Sequence, residues 1–262
     1  MATIQIDNLS KRFPSRTGDE DLVVLDQVSL AVQDRQFLCL LGRSGCGKST
    51  LLNVISGLDR EYGGEVMVDG QALAHSGRPP VKIGYVFQEP RLLPWQTVRQ
   101  NLRFTLQSSD LPERDWKDRI EYWLERVGLD GFGDAYPHEL SGGMQQRASI
   151  ARAFAIDPDV LLMDEPFSGL DEFTGRSLRS ALLSLWRETR KTVIFVTHHC
   201  FEACYLADRI VLLGGQPSRI ARIIDVEVPR PRDYDSSELF ELSVDVTRQV
   251  TSIAGGNAEQ TR

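Results

Sequence analysis

The sequence predicts an α/β fold with a mostly parallel sheet, an N-terminal antiparallel β subdomain and an inserted helical subdomain. Three observations carry this. Val160–Met163 and Val193–Val196 are continuous apolar runs, as expected of parallel strands buried on both faces. A helical segment of roughly 172–190 lies between them, which is βαβ spacing. Residues 2–6 and 22–32 instead alternate (Ile4, Ile6, then Leu25, Val28, Leu30, Val32), the mark of half-buried antiparallel strands. From residue 88 to about 157 the periodicity turns helical, an insert in a strand-rich chain.

In chain order, residues 15–21 form a polar loop between the first two strands. Phe37–Leu41 is a short apolar strand running into a glycine-rich turn and an amphipathic start at Leu51–Ile55. Glu65–Gly70 is a strand ending in Asp69-Gly70, a hairpin signal. Residues 72–80 read as loop and Ile83–Phe87 as another strand. Thr97 with Gln100 makes a capping-box pattern, predicting a helix to about Leu106. The next helix follows Asp110–Glu113. Its residues Trp116, Ile120, Trp123, Leu124 and Val127 are spaced for one buried face, and Gly128 is its stop. Ile210–Leu213 and Ala221–Ile224 complete the sheet pattern before Pro229–Asp233 interrupts it. Residues 236–248 are expected to form one short helix, and 251–262 a disordered tail.

The stretch Gly42-Arg43-Ser44-Gly45-Cys46-Gly47-Lys48-Ser49-Thr50 has the form G-x-x-x-x-G-K-S between a strand and a helix. Its glycines let successive N–H groups approach a phosphate chain, and the following helix points its positive end at the same place. Lys48 is placed to reach β- and γ-phosphates, and the Ser49 hydroxyl to hold Mg²⁺. The core is therefore expected to be that of a phosphate-loop NTPase. Cys46 lies inside this cradle, where a helix N-terminus lowers a thiol pKa.

Asp164 and Glu165 end the apolar run 160–163, and ligands bind at such strand ends in open α/β sheets. Asp164 is the expected second anchor for Mg²⁺, and Glu165 is placed to orient or deprotonate an attacking water. The alternative is a pair of solvated carboxylates. Leu140–Arg147 carries Ser141 as a good N-cap, then Gly142 and Gly143, then a helix with Met144, Ala148, Ala151 and Ala155 on one face. This is a second helix start suited to an anion.

Composition sets the outer bounds. The 262 residues leave room for one large or two modest domains, and 41% hydrophobic content is ordinary for a globular chain. A net charge of −7 argues against non-specific nucleic-acid binding. No stretch approaches the roughly 20 apolar residues of a membrane span, and no signal peptide is visible at the N-terminus. The 4 cysteines (Cys39, Cys46, Cys200, Cys204) have no paired spacing, which suits a reducing, cytoplasmic setting.

Together these motifs resemble the ATP-binding subunits of ABC transporters over residues 2 to about 225. Gly42–Thr50 resembles Walker A, Gln88 the glutamine loop, Leu140–Gln145 the signature, and Val160–Glu165 Walker B. Ser168–Asp171 resembles the D-loop and His198 the switch histidine. The resemblance implies an ATPase domain over 1–228, with its helical insert at about 88–157, and a C-terminal extension and tail over 229–262. It also implies a homodimer in which Ser141, Gly142 and Gly143 of one copy meet the γ-phosphate held by Lys48 of the other. His198 would hold that phosphate. Gln88 would touch Mg²⁺, and Phe13 would stack on adenine, the alternative being a packing aromatic.

Residues Gln88–Trp95, Met163–Phe167 and Pro229–Asp233 further resemble the nitrate, sulfonate and taurine importer subfamily. The implied partners are a second copy, integral membrane permease subunits and, indirectly, a periplasmic or extracellular solute-binding protein, with no nucleic acid. The implied place is the cytoplasmic face of the inner membrane. Leu92, Leu93 and Trp95 would take a helix of the membrane subunit, or else serve an ordinary core. An importer of another small organic solute and a soluble non-transport ABC ATPase are the rival functions.

Three departures stand out: His199 in place of the usual Asp, Asp34-Arg35-Gln36 in place of a Gly-Glu turn, and Gly169 in the D-loop. The string His198-His199-Cys200 with Cys204 also admits a soft metal site.

Overall fold

The computed structural model describes residues 2–15, 21–73 and 79–256, with side chains up to Ile253. It divides into two units, Met1–Pro80 together with Thr192–Arg262, and Val81–Lys191.

The first unit begins with β1 (Ile4–Phe13), antiparallel to β2 (Leu22–Val32) and paired with it from Ile4↔Val32 to Phe13↔Leu22 across shifts of register between Ile6 and Arg12. The alternating residues Ile4, Ile6, Leu25, Val28, Leu30 and Val32 are all buried, as their spacing predicts. β1 continues well past residue 6 because Asn8, at φ 51, and a shift in register absorb the break in alternation. Lys11, only 3% exposed, is kept inside by Asp59 Oδ1 at 2.8 Å and the Glu61 carbonyl at 2.6 Å. β3 (Phe37–Leu41) is buried throughout and leads into α1 (Lys48–Ile55). β4 (Gly63–Val68) pairs with β1 and turns through Asp69 (φ 49) and Gly70 (φ 72) into β5 (Gln71–Ala72). Two successive positive φ values are what a two-residue hairpin needs. Of the expected loops, residues 16–20 and 74–78 lie outside the described residues.

In the second unit, β6 (Ile83–Val86) runs parallel to β7 (Val160–Asp164), with Val86 opposite Met163. Between them come α2 (Val98–Leu106), α3 (Trp116–Arg126) and α4 (Gly142–Ala155); α5 (Glu172–Thr189) follows β7. The capping box is present at α2: Thr97 Oγ1 accepts from the Gln100 N–H at 3.3 Å, and Gln100 Oε1 from the Thr97 N–H at 2.9 Å. Ile120, Trp123 and Leu124 form the buried face of α3, and the Trp123 ring lies 5.0 Å from that of Phe154 on α4. Gly84 permits a close approach: a Cβ there would stand 2.7 Å from the Ala153 carbonyl.

The chain then returns to the first unit. β8 (Thr192–Thr197) runs parallel to β3 on one side, and after α6 (Cys200–Leu206) β9 (Arg209–Gly214) runs parallel to it on the other. β10 (Arg219–Asp225) is antiparallel to β9. The last helix, α7 (Ser237–Gly256), packs on α6 and β9. It corrects the expectation of a tail from 251. Residues 251–256 are helical because Ile253 closes over Gly214, where a Cβ would stand 2.4 Å from Ile253 Cγ2. Residues 257–262 of the expected tail lie outside the described residues.

Candidate functional site

Gly42–Thr50 leaves the end of β3 and enters α1 through Gly47, which serves as N-cap at φ 89 with no side-chain cap. The first amides of α1 are therefore not taken up by a capping side chain, which leaves that end of the helix to a ligand. Left-handed backbone at Gly45 and Gly47 strains any L side chain. At Gly47 a Cβ would also stand 2.8 Å from Leu25 and Val24. Gly42 is needed for closeness instead, its hypothetical Cβ lying 2.7 Å from the Leu213 carbonyl and 2.8 Å from Cys46 Sγ.

Lys48, only 4% exposed, donates from Nζ to the carbonyls of Gly42 at 2.8 Å and Arg43 at 2.9 Å. A fixed cation thus underlies a helix start with no side-chain cap, which favours a polyanion. Arg43, Ser44, Gly45 and Ser49 are exposed or nearly so, and Cys46 and Thr50 half-buried.

His198 belongs to the same unit. Leu41 is opposite Thr197 in the parallel pair, so Gly42 and His198 leave neighbouring strands at the same end. His198 is exposed, with its ring 4.1 Å from that of His199. The Arg35 departure is accommodated in left-handed backbone at φ 62, its N–H donating to Thr192 Oγ1 at 2.9 Å. Phe13 ends β1 at 38% exposure, with Lys11 Nζ 4.8 Å from its ring centre. Cys204 is buried, and its thiol is pushed up to about 12, chiefly by burial and then by Cys200. A neutral thiol is a poor metal ligand. Among the described residues, no group of three or more His, Cys, Asp or Glu is gathered to hold a metal.

In the second unit, Asp164 ends β7 and Gln88 follows β6 at the same end of that parallel pair. The Gln88 amide donates to Ser168 Oγ at 3.2 Å. Asp164 is half-buried, and its charge adds to burial in raising the Tyr85 hydroxyl pKa. Glu165 sits at φ 42, a left-handed conformation costly for a residue with a side chain.

Ser141 caps α4 as the sequence predicts, its Oγ accepting from the Met144 N–H at 3.3 Å. Ser141 and Gly142 are exposed, while Gly143 is buried against α5, where a Cβ would meet Thr174 Cγ2 at 2.6 Å. Thr174 is in turn fixed by Asp171, which accepts from its N–H at 3.0 Å. Hydrogen bonds from Thr174 hold the Asp171 carboxyl below the usual range.

Two residues that sequence reading missed hold the loop after Gln88. Asn101 on α2 is 1% exposed; its Nδ2 donates to the carbonyls of Leu93, Gln96 and Thr97, and its Oδ1 accepts from the Leu93 N–H at 2.7 Å. Arg152, near the end of α4, donates to the carbonyls of Arg91 at 2.7 Å and Pro90 at 2.8 Å. The helix that starts at Ser141 thus also anchors the glutamine loop. Only the place of Asn101 beside Val98 and Leu102 on an apolar face hinted at this. Asn101→Ala should cost about 2–3 kcal/mol, since it orphans several buried loop groups at once. Chemical denaturation checks this, and a change below about 0.5 kcal/mol would mean the loop holds itself. Trp95 is 70% exposed on the anchored loop, and Leu92 and Leu93 are half-buried.

Comparison with known proteins follows the same lines. A family profile described as ABC transporter matches residues 25–168. The chain is 42% identical over 247 residues to an aliphatic sulfonates import ATP-binding protein, SsuB, of Bacillus cereus, covering 94% of this chain and 95% of that protein. It is 43% identical over 238 residues to an uncharacterized ABC transporter ATP-binding protein of Methanocaldococcus jannaschii, covering 91% and 87%. Among solved structures it resembles the ATP-binding cassette MJ0796 in a dimeric post-hydrolysis state bound to ADP and Pi. That likeness has a TM-score of 0.76 at 31% identity, over 86% of this chain and 99% of that one.

Proposed function

The chain belongs to the ABC transporter family, and on that premise we propose that it is the ATP-binding and hydrolysing subunit powering a membrane importer of a small anionic solute, in the nitrate, sulfonate or taurine class. The observation that carries this reading is a second anion-ready helix start. The chain holds its own phosphate loop at Gly42–Thr50, yet it presents another exposed, Ser-capped helix start at Ser141. Two such starts per chain suit two copies that share two nucleotides, with the two-fold symmetry of a closed dimer.

In this reading Phe13 stacks on adenine, and the amides of Gly42–Thr50 with Lys48 take the phosphates. Ser141, Gly142 and Gly143 complete the site of the other copy. Ser49, Gln88 and Asp164 offer hydroxyl, amide and carboxylate oxygens, hard donors that fit a Mg²⁺. These residues would hold the Mg²⁺ that accompanies ATP, which neutralises charge on the β- and γ-oxygens. Glu165 takes a proton from the attacking water, and His198 holds the γ-phosphate. ATP then favours the closed pair because the γ-phosphate is a contact that only the closed state makes on both sides.

Leu92, Leu93 and Trp95 form the surface offered to the permease subunits, and a solute-binding protein acts through those subunits. Among the described residues no helix is long and apolar enough to cross a membrane, so the chain's place at the cytoplasmic face of the inner membrane comes through these partners.

The test is ATP hydrolysis in proteoliposomes with the permease subunits, stimulated by a sulfonate-loaded binding protein. Folded protein that hydrolyses no ATP would sink the reading. Stimulation by a different solute alone would move the substrate class. A bulky thiol reagent on Cys46 should block nucleotide binding, with ATP protecting. A Cys46-alkylated protein that binds ATP normally would remove the loop from the site.

A further inference from the structure

The C-terminal end of α6 is closed from outside the helix. A helix leaves its last four carbonyls without intrahelical partners, and here these belong to Cys204, Tyr205, Leu206 and Ala207. Arg232 donates to Cys204 at 3.1 Å, Tyr205 at 3.0 Å and Ala207 at 2.7 Å, and Arg230 donates to Leu206. Two arginines of the Pro229–Arg232 stretch therefore occupy all four. Arg232 is 6% exposed and also holds its own loop, donating from Nε to the Val228 carbonyl at 2.9 Å. Arg230 bonds Asp208 Oδ1 at 2.9 Å, and the other oxygen of Asp208 accepts from the Phe37 N–H at 2.9 Å. One cluster thus joins the end of α6 to the start of β3.

The opposite end of α6 starts directly from β8, where the His199 N–H donates to Thr197 Oγ1 at 3.0 Å. His199 is its N-cap and makes no side-chain cap bond, and the helix is only 7 residues long. A helix so short does not hold itself in water. His198 directly precedes the cap, so it stands between the end of β8 and a helix anchored at its far end.

We propose that Arg232 is a positioning residue for His198: its buried guanidinium fixes the terminal carbonyls of α6 and so sets where the residue entering that helix stands during ATP hydrolysis. This rests on the hydrolytic role proposed for His198 above. All three helix-end bonds leave Nη1 while Nε holds the Val228 carbonyl, so the guanidinium ties the helix end to its own loop through two nitrogens at once, which the single nitrogen of Lys does not do.

The experiment uses the full chain with Arg232→Met, Arg232→Lys, His198→Ala and the double variant Arg232→Met/His198→Ala. It measures kcat and KM for MgATP and, by peptide mapping, the alkylation rates of Cys204 on α6 and Cys39 on β3. Arg232→Met should lower kcat about 10- to 100-fold, the effect of a small misplacement, with KM within about twofold. Cys204 should alkylate at least about tenfold faster while Cys39 stays protected, the mark of local opening. Arg232→Lys should recover part of both losses. In the His198→Ala background, Arg232→Met should cost less than about twofold more, because it acts through the missing residue.

An equal loss in both backgrounds overturns the proposal, as does a Cys204 as protected as in the unsubstituted chain. If Arg232→Met does not fold, Arg232→Lys is read by the same criteria. Unsubstituted protein without ATPase activity would instead defeat the functional reading on which the proposal rests, a distinguishable result.

Discussion

Lys48→Ala should remove ATP turnover, with a loss on the order of 10³-fold, because it deletes the buried cation under the phosphate loop. The loop itself should survive. Lys48 donates to two backbone carbonyls, and those of Gly42 and Arg43 would be left to water or to each other's neighbours, at about 1–3 kcal/mol. The checks are nucleotide affinity by fluorescence titration and thermal melting on the same sample. Retained affinity for ATP in a normally melting Lys48→Ala protein would place the phosphates elsewhere. Lys48→Arg should fail nearly as badly, since a planar guanidinium does not fit where a compact ammonium is held between two carbonyls.

Glu165→Gln should separate binding from chemistry. The amide keeps the shape of the side chain and loses the base, so kcat should fall on the order of 10³-fold, within the range for a positioned general base. Nucleotide affinity should remain. Because the γ-phosphate then persists, the variant should elute as a dimer in the presence of ATP during size-exclusion chromatography. Turnover at the normal rate would refute the assigned mechanism, and an unchanged monomer with bound ATP would refute the shared site.

The backbone adds a second readout at this position. Glu165 stands at φ 42, a conformation that costs a side-chain residue about 1–3 kcal/mol. Glu165→Gly should therefore also be inactive, yet more stable than Glu165→Gln by about 1 kcal/mol in denaturant unfolding. A residue kept in strained backbone where glycine would be easier is one whose side chain is needed.

Much of the site is legible in the sequence because its parts are local. The phosphate loop needs a strand, glycines and a helix start within Phe37–Ile55, and all three lie in one window. Ser141 announces its helix by the same short-range capping chemistry that works at Thr97 and Asp171. Alternation exposes β2, and uninterrupted apolar runs expose β7 and β8. β1 is only half legible, because Lys11 interrupts its pattern and is buried by partners at Asp59 and Glu61. Arg35 occupies left-handed backbone that the sequence would assign to glycine, held there by Thr192.

By itself, then, the sequence determined the strand and helix types and the loop and cap patterns from which the phosphate and Mg²⁺ residues are proposed, since these follow from neighbours a few positions apart. Tertiary structure alone decided which side chains hold those segments in place. Asn101 and Arg152 fix the loop after Gln88, and Arg230 and Arg232 close α6 from more than 20 residues away. Ile253 on Gly214 extends α7 into a stretch that reads as a tail. The physical reason is common to all three. A buried carbonyl, an uncapped helix end or a bare glycine surface must be satisfied by some group, and only the folded chain determines which one is within reach.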